Sequence, residues 1–260
     1  MHRLPSLMQT IRSILQVTIL LISSFNLVKA ENLIISEIMG DNESTLEDGH
    51  GNYSDWIEIK NPNSINFNLT GYFLTDDQSN LRKWIFPDQT IISPNGYLII
   101  FATDQEDPNH TDPEGNLHTN FSLKSEGEYL ALISPDGEEI IQQFSPNYPS
   151  IPKDISYGKS GYFLDPSPGK TNKEEPVQGF VKDTKFSIDR GLYYDPFELT
   201  IISETEGSTI YYTLDGSAPD PSNGIIYNRP ISINSTTLIR AAAYKDNFVA
   251  TNVDTHSYIF

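Results

Sequence analysis

The sequence predicts an all-β protein: two β-sandwiches in tandem behind an N-terminal export signal. Three observations carry that prediction. After residue 30 no stretch keeps apolar residues at helical spacing for three turns; they come instead in short β-branched and aromatic runs. Clusters of Gly, Pro, Asn and Asp separate the runs, supplying the backbone conformations that tight turns need. The chain also holds 14 Tyr and 13 Phe, far too many for a disordered acidic polymer.

In chain order, strands are expected over residues 33–39, 56–61, 69–75, 83–86, 97–102, 129–134 and 138–144. Within 56–61, period-two alternation puts Trp56 and Glu58 on one face and Ile57 and Ile59 on the other. Pro94-Asn95-Gly96 and Pro135-Asp136-Gly137 fall where turns are required, because Asn, Asp and Gly tolerate positive φ. The polar stretch from Thr171 to Lys185, with Lys173-Glu174-Glu175-Pro176, reads as a connection. A second strand series follows at 197–202, 209–214, 231–233, 237–244 and 256–260, with a turn at Leu214-Asp215-Gly216-Ser217. The resulting division is an export signal over 1–30, a first domain over 31–172, a linker over 173–185 and a second domain over 186–260.

The first thirty residues have the layout of a secretory signal. Arg3 and Arg12 precede or open an apolar run over 14–25, no acidic residue occurs before Glu31, and Val28-Lys29-Ala30 suits a signal peptidase. Thr18, Ser23 and Ser24 interrupt the run, which falls short of the roughly 20 residues that cross a bilayer. No integral membrane span is therefore expected in the mature chain. The formal net charge of −18 argues against nucleic acid and anionic lipid, both of which need cation clusters. The absence of cysteine excludes disulfides, thiolate metal sites and cysteine nucleophiles.

Several motifs in order carry a family resemblance. Ile35-Ser36-Glu37-Ile38-Met39 is followed by Asp55-Trp56-Ile57-Glu58-Ile59-Lys60-Asn61, Leu69-Thr70-Gly71-Tyr72-Phe73-Leu74-Thr75-Asp76, Lys83-Trp84-Ile85-Phe86-Pro87 and Pro94-Asn95-Gly96-Tyr97-Leu98-Ile99-Ile100-Phe101. Asp154-Ile155-Ser156-Tyr157-Gly158 and Pro166-Ser167-Pro168-Gly169-Lys170-Thr171-Asn172 close the series. Taken together this resembles the lamin tail domain, an immunoglobulin-like sandwich that bacteria also place on exported proteins. The nuclear filament role does not carry over, since no heptad rod is present.

The second domain carries Ile210-Tyr211-Tyr212-Thr213-Leu214-Asp215-Gly216-Ser217-Ala218-Pro219, Ile226-Tyr227-Asn228-Arg229-Pro230-Ile231 and Thr237-Leu238-Ile239-Arg240-Ala241-Ala242-Ala243-Tyr244. It resembles the C-terminal β-sandwich of chitobiases and β-hexosaminidases, an accessory module beside many secreted catalytic domains. Neither resemblance implies catalytic residues.

Spacing yields no catalytic constellation. Gly158-Lys159-Ser160-Gly161 lacks the glycine spacing of a nucleophile elbow, and Gly169-Lys170-Thr171 has Leu164 where a phosphate-binding loop needs glycine. His110 and His118 share a loop with Asp112 and Glu114, but the ordinary reading is solvated histidines. Glu58 is expected half-buried and paired with Lys83 or Arg82, and Asp76 and Asp77 read as turn formers.

Two non-catalytic candidates remain. The loop bearing Asp41, Glu43, Asp48 and Asp55, with Gly49 and Gly51, offers oxygen ligands for weak calcium binding, without the regular spacing of an EF-hand. Tyr194, Tyr212 and Tyr227 could stack on sugar rings, although alternation sends one of Tyr211 and Tyr212 inward. No other cofactor is expected. Six N-x-S/T sequons, at Asn42, Asn52, Asn68, Asn109, Asn120 and Asn234, would matter only in a eukaryotic secretory route. The functional expectation is a non-catalytic secreted or cell-surface protein that binds or tethers a cell-envelope protein or polysaccharide. The alternative is the N-terminal accessory region of a larger secreted enzyme, a spore-coat-type kinase or a glycoside hydrolase, whose catalytic domain lies outside this chain.

Overall fold

The computed structural model describes residues 32–105 and 111–260. The expected signal over 1–30 lies outside the described residues, as do Asn109 and His110. Among the described residues there are strands and no helix, and so no helix long and apolar enough to cross a membrane. The protein is all-β, as its periodicity predicts.

The first sandwich has a six-stranded sheet in the order Gly161–Phe163, Ser156–Gly158, Ile34–Met39, Trp56–Lys60, Tyr97–Ala102, Leu117–Thr119. Its companion has four strands, Ile140–Phe144, Leu130–Ile133, Phe73–Thr75 and Trp84–Ile85. Ile57 sits opposite both Ile38 and Ile100, so three β-branched side chains align across the sheet. They join Leu74, Trp84, Leu130 and Leu132 of the other sheet in one buried cluster. Burying each such side chain is worth about 1.5–3 kcal/mol, so this cluster dominates the stability of the sandwich. At the open side Gln142 ties the sheets together. Its Oε1 accepts the Ile35 N–H at 2.9 Å and its Nε2 donates to the Ile35 carbonyl at 3.2 Å, beside a bulge between Ile35 and Glu37.

Turn chemistry follows the expected positions. Asn95 has φ 54°, Gly137 φ 74° and Gly216 φ 84°, each in the left-handed region. Two expected runs are divided. Of 69–75 only Phe73–Thr75 is strand, because Leu69 and Tyr72 close a turn first. The run 197–202 changes partner partway: Phe197–Leu199 pairs with Ile231–Ile233, and Ile201–Ser203 pairs with Thr184–Phe186.

The second sandwich is built on a five-stranded sheet, Gly191–Leu192, Asp254–Ile259, Thr237–Tyr244, Thr209–Thr213, Ile225–Ile226. Ile239, Ala241 and Ala243 point inward against Leu199, Ile201, Ile233 and Tyr258. Small alanines on the long central strand leave room for the buried Tyr258 ring, whose hydroxyl donates to the Ile188 carbonyl at 2.8 Å.

The stretch read as a linker is partly ordered chain. Gly179–Phe180 runs parallel to Phe248–Val249, Thr184–Phe186 forms a further strand, and Val181 and Thr184 are buried. On its other side Val177 exchanges two 2.9 Å backbone hydrogen bonds with Tyr162 of the first sandwich. The Gln178 side chain donates to the Ser160 carbonyl, and the rings of Tyr162 and Phe180 meet edge to face at 5.2 Å. Thus residues 177–180 are strand-paired to both sandwiches, whereas residues 173–175 stay exposed.

Candidate functional site

The four carboxylates of the suggested calcium loop do not converge. Asp48 is buried and accepts hydrogen bonds from the His50 and Asn52 amides and from Ser54 Oγ at 2.8–2.9 Å. Burial opposes its charge, but those donors outweigh it and hold the carboxyl below its usual range. Glu43 forms an exposed ion pair with Lys153. Asp55 is half-buried beside the Asn42 amide; burial, reinforced by the charge of Asp41, pushes it up to about 6. The backbone carbonyl of Asp41 takes the Asp154 N–H, and the Asp154 carboxylate caps the amides of Glu43 and Ser44. The loop's oxygens serve its own backbone. Among the described residues no group of three His, Asp or Glu side chains is placed to hold a metal ion.

The three tyrosines are likewise separated. Tyr194 is 94% exposed and follows the edge strand Gly191–Leu192. Tyr212 points inward from the other side of the sheet, and Tyr227 meets its ring edge-on at 6.5 Å while packing on the core. Tyr211 takes the outer face, against Tyr244. A flat sugar platform of the three rings is not formed.

The expectation of solvated loop histidines is corrected at His118. It is 1% exposed, with Nδ1 2.9 Å from Thr103 Oγ1 and Nε2 3.3 Å from Asp112 Oδ2. Asp112 also accepts the amides of Gly49, Glu114 and Asn116 and the Asn116 side chain. Burial opposes ionisation here too, yet these donors hold the carboxyl far below its usual range. The order acid, imidazole, hydroxyl resembles a nucleophile relay. However, Asp112 spends its lone pairs binding the 48–50 turn to the 112–118 turn, which makes the arrangement a clamp between loops. A polar cleft of about 240 Å³ opens beside it, lined by Asp48, His50, Ser54, Thr103, Gln105 and His118.

A second correction concerns Glu58. It shares its face with Trp56 as expected, but it is fully buried and has neither expected partner: Lys83 pairs with Asp76 at 2.6 Å, and Arg82 donates to the Asp136 carbonyl. Instead Glu58 lies directly across from Glu37, also fully buried. Ser36 Oγ and the Gly169 N–H donate to Glu58, the latter at 2.6 Å. Ser156 Oγ donates to Glu37 at 2.6 Å, and Ser167 Oγ lies at 3.5 Å. Burial raises both carboxyls, Glu58 to about 7, with the neighbouring charge of Glu37 adding to it. No single-residue periodicity signals such a pair; the clue in the sequence is glutamate at an inner strand position in both Ile35-Ser36-Glu37-Ile38-Met39 and Trp56-Ile57-Glu58-Ile59. The segment 167–169 lies on these carboxylates, so they do not face a cleft as a glycosidase pair would.

Two sheet edges carry open grooves. One, of about 370 Å³, runs along Ile140–Phe144 with Tyr157 and Lys159. The other, of about 870 Å³, runs along Ile225–Ile226, where both isoleucines are 53% exposed, with Tyr212, Arg229, Ile231 and Ser232.

Comparison with known families agrees with this architecture. Residues 28–147 match the family model for the Lamin Tail Domain, and residues 198–258 match the model described as Fn3 associated. The latter fits the chitobiase-type description of the second sandwich. A search of curated proteins finds no match. The first sandwich continues beyond its matched residues, because the hairpin of Ser156–Gly158 and Gly161–Phe163 pairs with Ile34–Met39 in the same sheet.

Proposed function

We propose that this chain, a lamin tail domain followed by an Fn3-associated domain, is an exported, non-catalytic protein that tethers a cell-envelope protein or polysaccharide through its sandwich edges. The groove along Ile225–Ile226 is the observation that supports the reading most directly. It is the end strand of its sheet, with backbone groups unpaired on one side and two exposed isoleucines in reach of the Tyr212 ring and the Arg229 guanidinium. An extended partner can add main-chain hydrogen bonds there and seat apolar groups on the isoleucines. A sugar chain can instead use the ring wall and the polar rim. A strand-paired joint between the sandwiches suits tethering, since it transmits position and not only attachment.

The test is retention of the chain lacking residues 1–30 on cell-envelope and polysaccharide fractions. Retention is expected, with a drop of about tenfold or more for the double variant Ile225→Asp, Ile226→Asp, whose substituted positions are already exposed. Absence of retention on every fraction, or turnover of any fraction at enzymic rates, overturns the reading.

A further inference from the structure

The buried glutamates contribute nothing to edge binding, and two carboxyl groups side by side are costly to keep dry. Residues directly opposite on antiparallel strands have Cβ atoms about 4.5–5.5 Å apart, so the charge of Glu37 reaches Glu58 and adds to the effect of burial there. Their donors come from two places. Ser36 and Ser156 belong to the sheet itself, whereas Ser167 and Gly169 belong to the segment that crosses it. That segment is closed by the Lys170 N–H on the Ser167 carbonyl at 3.0 Å and touched by the Tyr97 hydroxyl at Thr171, 3.0 Å away. Ser167 is its buried residue, while Gly169, Lys170 and Thr171 are exposed.

Few other charges bear on the pair. Strand Trp56–Lys60 supplies Lys60, whose ammonium sits 5.3 Å over the Tyr97 ring. Strand Tyr97–Ala102 offers Ile99 opposite Glu58 and no charged residue. The hairpin strands contribute Ser156 and no charge; Lys159 at the hairpin tip lies in the groove beside Ile140–Phe144. The covering segment carries the exposed Lys170. With one proton on the pair, Glu58 can donate to Ser36 Oγ or to Glu37 while its other oxygen accepts from Gly169. With none, two adjacent anions share a dry site and favour water, which they reach only by lifting the segment that covers them.

We propose that Glu37 and Glu58 form a proton-dependent clasp: carrying at most one negative charge they hold segment 167–172 on the sheet, and carrying two they release it. The released chain runs directly into 173–177, so opening also loosens the approach to the strand-paired joint between the sandwiches.

Hydrogen exchange of the full chain at pH 5.5 and 8.5, corrected for intrinsic rates, tests this. The hydrogen-bonded amides of the segment, Gly169 and Lys170, are expected to lose protection about tenfold or more at the higher pH relative to those of Tyr97–Ala102, in keeping with a tenfold change per pH unit between two ionisation constants. Glu58→Gln is expected to keep the segment protected at both values, because an amide accepts from Gly169, donates to Ser36 and carries no charge. Glu37→Gln, which leaves one ionisable member, provides the same reading if Glu58→Gln fails to fold. Equal protection of Gly169 and Lys170 at both pH values in the unsubstituted chain overturns the proposal, as does a loss that persists in the folded Gln variants. Neither outcome bears on retention by envelope fractions.

Discussion

Asn61 illustrates how much one polar side chain can hold in this fold. Fully buried, it donates through Nδ2 toward the carbonyls of Ile65, Ile92 and Ser93 at 2.8–3.1 Å and accepts the Asn63 N–H through Oδ1 at 3.0 Å. It thereby follows the strand Trp56–Lys60 and gathers the chain before the Phe67–Asn68 strand and at the end of the Ile91–Ile92 strand. Asn61→Ala removes these hydrogen bonds together, the one to the Ile92 carbonyl inside the core. A loss of about 2–4 kcal/mol is expected in urea unfolding. A change under about 0.5 kcal/mol would mean that water replaces the amide without cost. Asn61 and Glu58 stand three residues apart in one motif, yet only Asn61 has the local job that its position at a strand end suggests.

Among the elements, the joint between the sandwiches depends most on one backbone position. Gly161 has φ 137°, and a Cβ there would stand 2.4 Å from the Val177 carbonyl oxygen. A side chain at 161 therefore displaces the chain that bridges to Tyr162, the neighbour through which both 2.9 Å hydrogen bonds pass. For Gly161→Ala the expected outcome is cleavage by trypsin after exposed Lys173 several times faster than in the unsubstituted chain. Circular dichroism of the strands should stay native. Unchanged cleavage would show that the Phe180–Tyr162 and Gln178–Ser160 contacts hold the joint unaided. The same joint explains why composition reads residues 173–185 as a linker although part of them is strand: a polar, proline-bearing stretch pairs through its backbone, and backbone pairing leaves no mark on side-chain composition.

For the whole molecule, buried acids decide how stability varies with pH. Glu58, near 7, Asp55, near 6, and Glu37 are all raised by burial, so the folded chain binds more protons than the unfolded one from about pH 4 to 7. Stability contributed by these groups is present in acid and lost as pH rises through their folded values. Asp112 and Asp48 act with the opposite sign: their folded values are depressed, so their contribution is lost as pH falls below about 4. Maximal stability is therefore expected near pH 4–5, with a decline on the order of 2 kcal/mol by pH 7.5 that Glu58→Gln flattens. The net charge of −18 adds self-repulsion in the same direction. Urea midpoints that rise steadily from pH 5 to 8 would contradict this balance.

Alternation and turn residues alone determined the all-β class, the inward set Ile57 and Ile59, and the turns at Asn95, Gly137 and Gly216, because period two and positive φ are local properties of the chain. Motif order likewise made both families legible in the sequence. Tertiary structure alone decided which donors meet which acids. It gave Asp41, Glu43, Asp48 and Asp55 no common metal-binding arrangement, set Tyr194 beside the edge strand Gly191–Leu192 and Tyr212 on the inner strand Thr209–Thr213, buried His118 between Thr103 and Asp112, and laid Gly169 on Glu58 from 111 residues away. The physical reason is range: backbone geometry is fixed by neighbours in the chain, whereas a carboxylate takes its partner and its charge from whatever segments the folded sheets bring beside it.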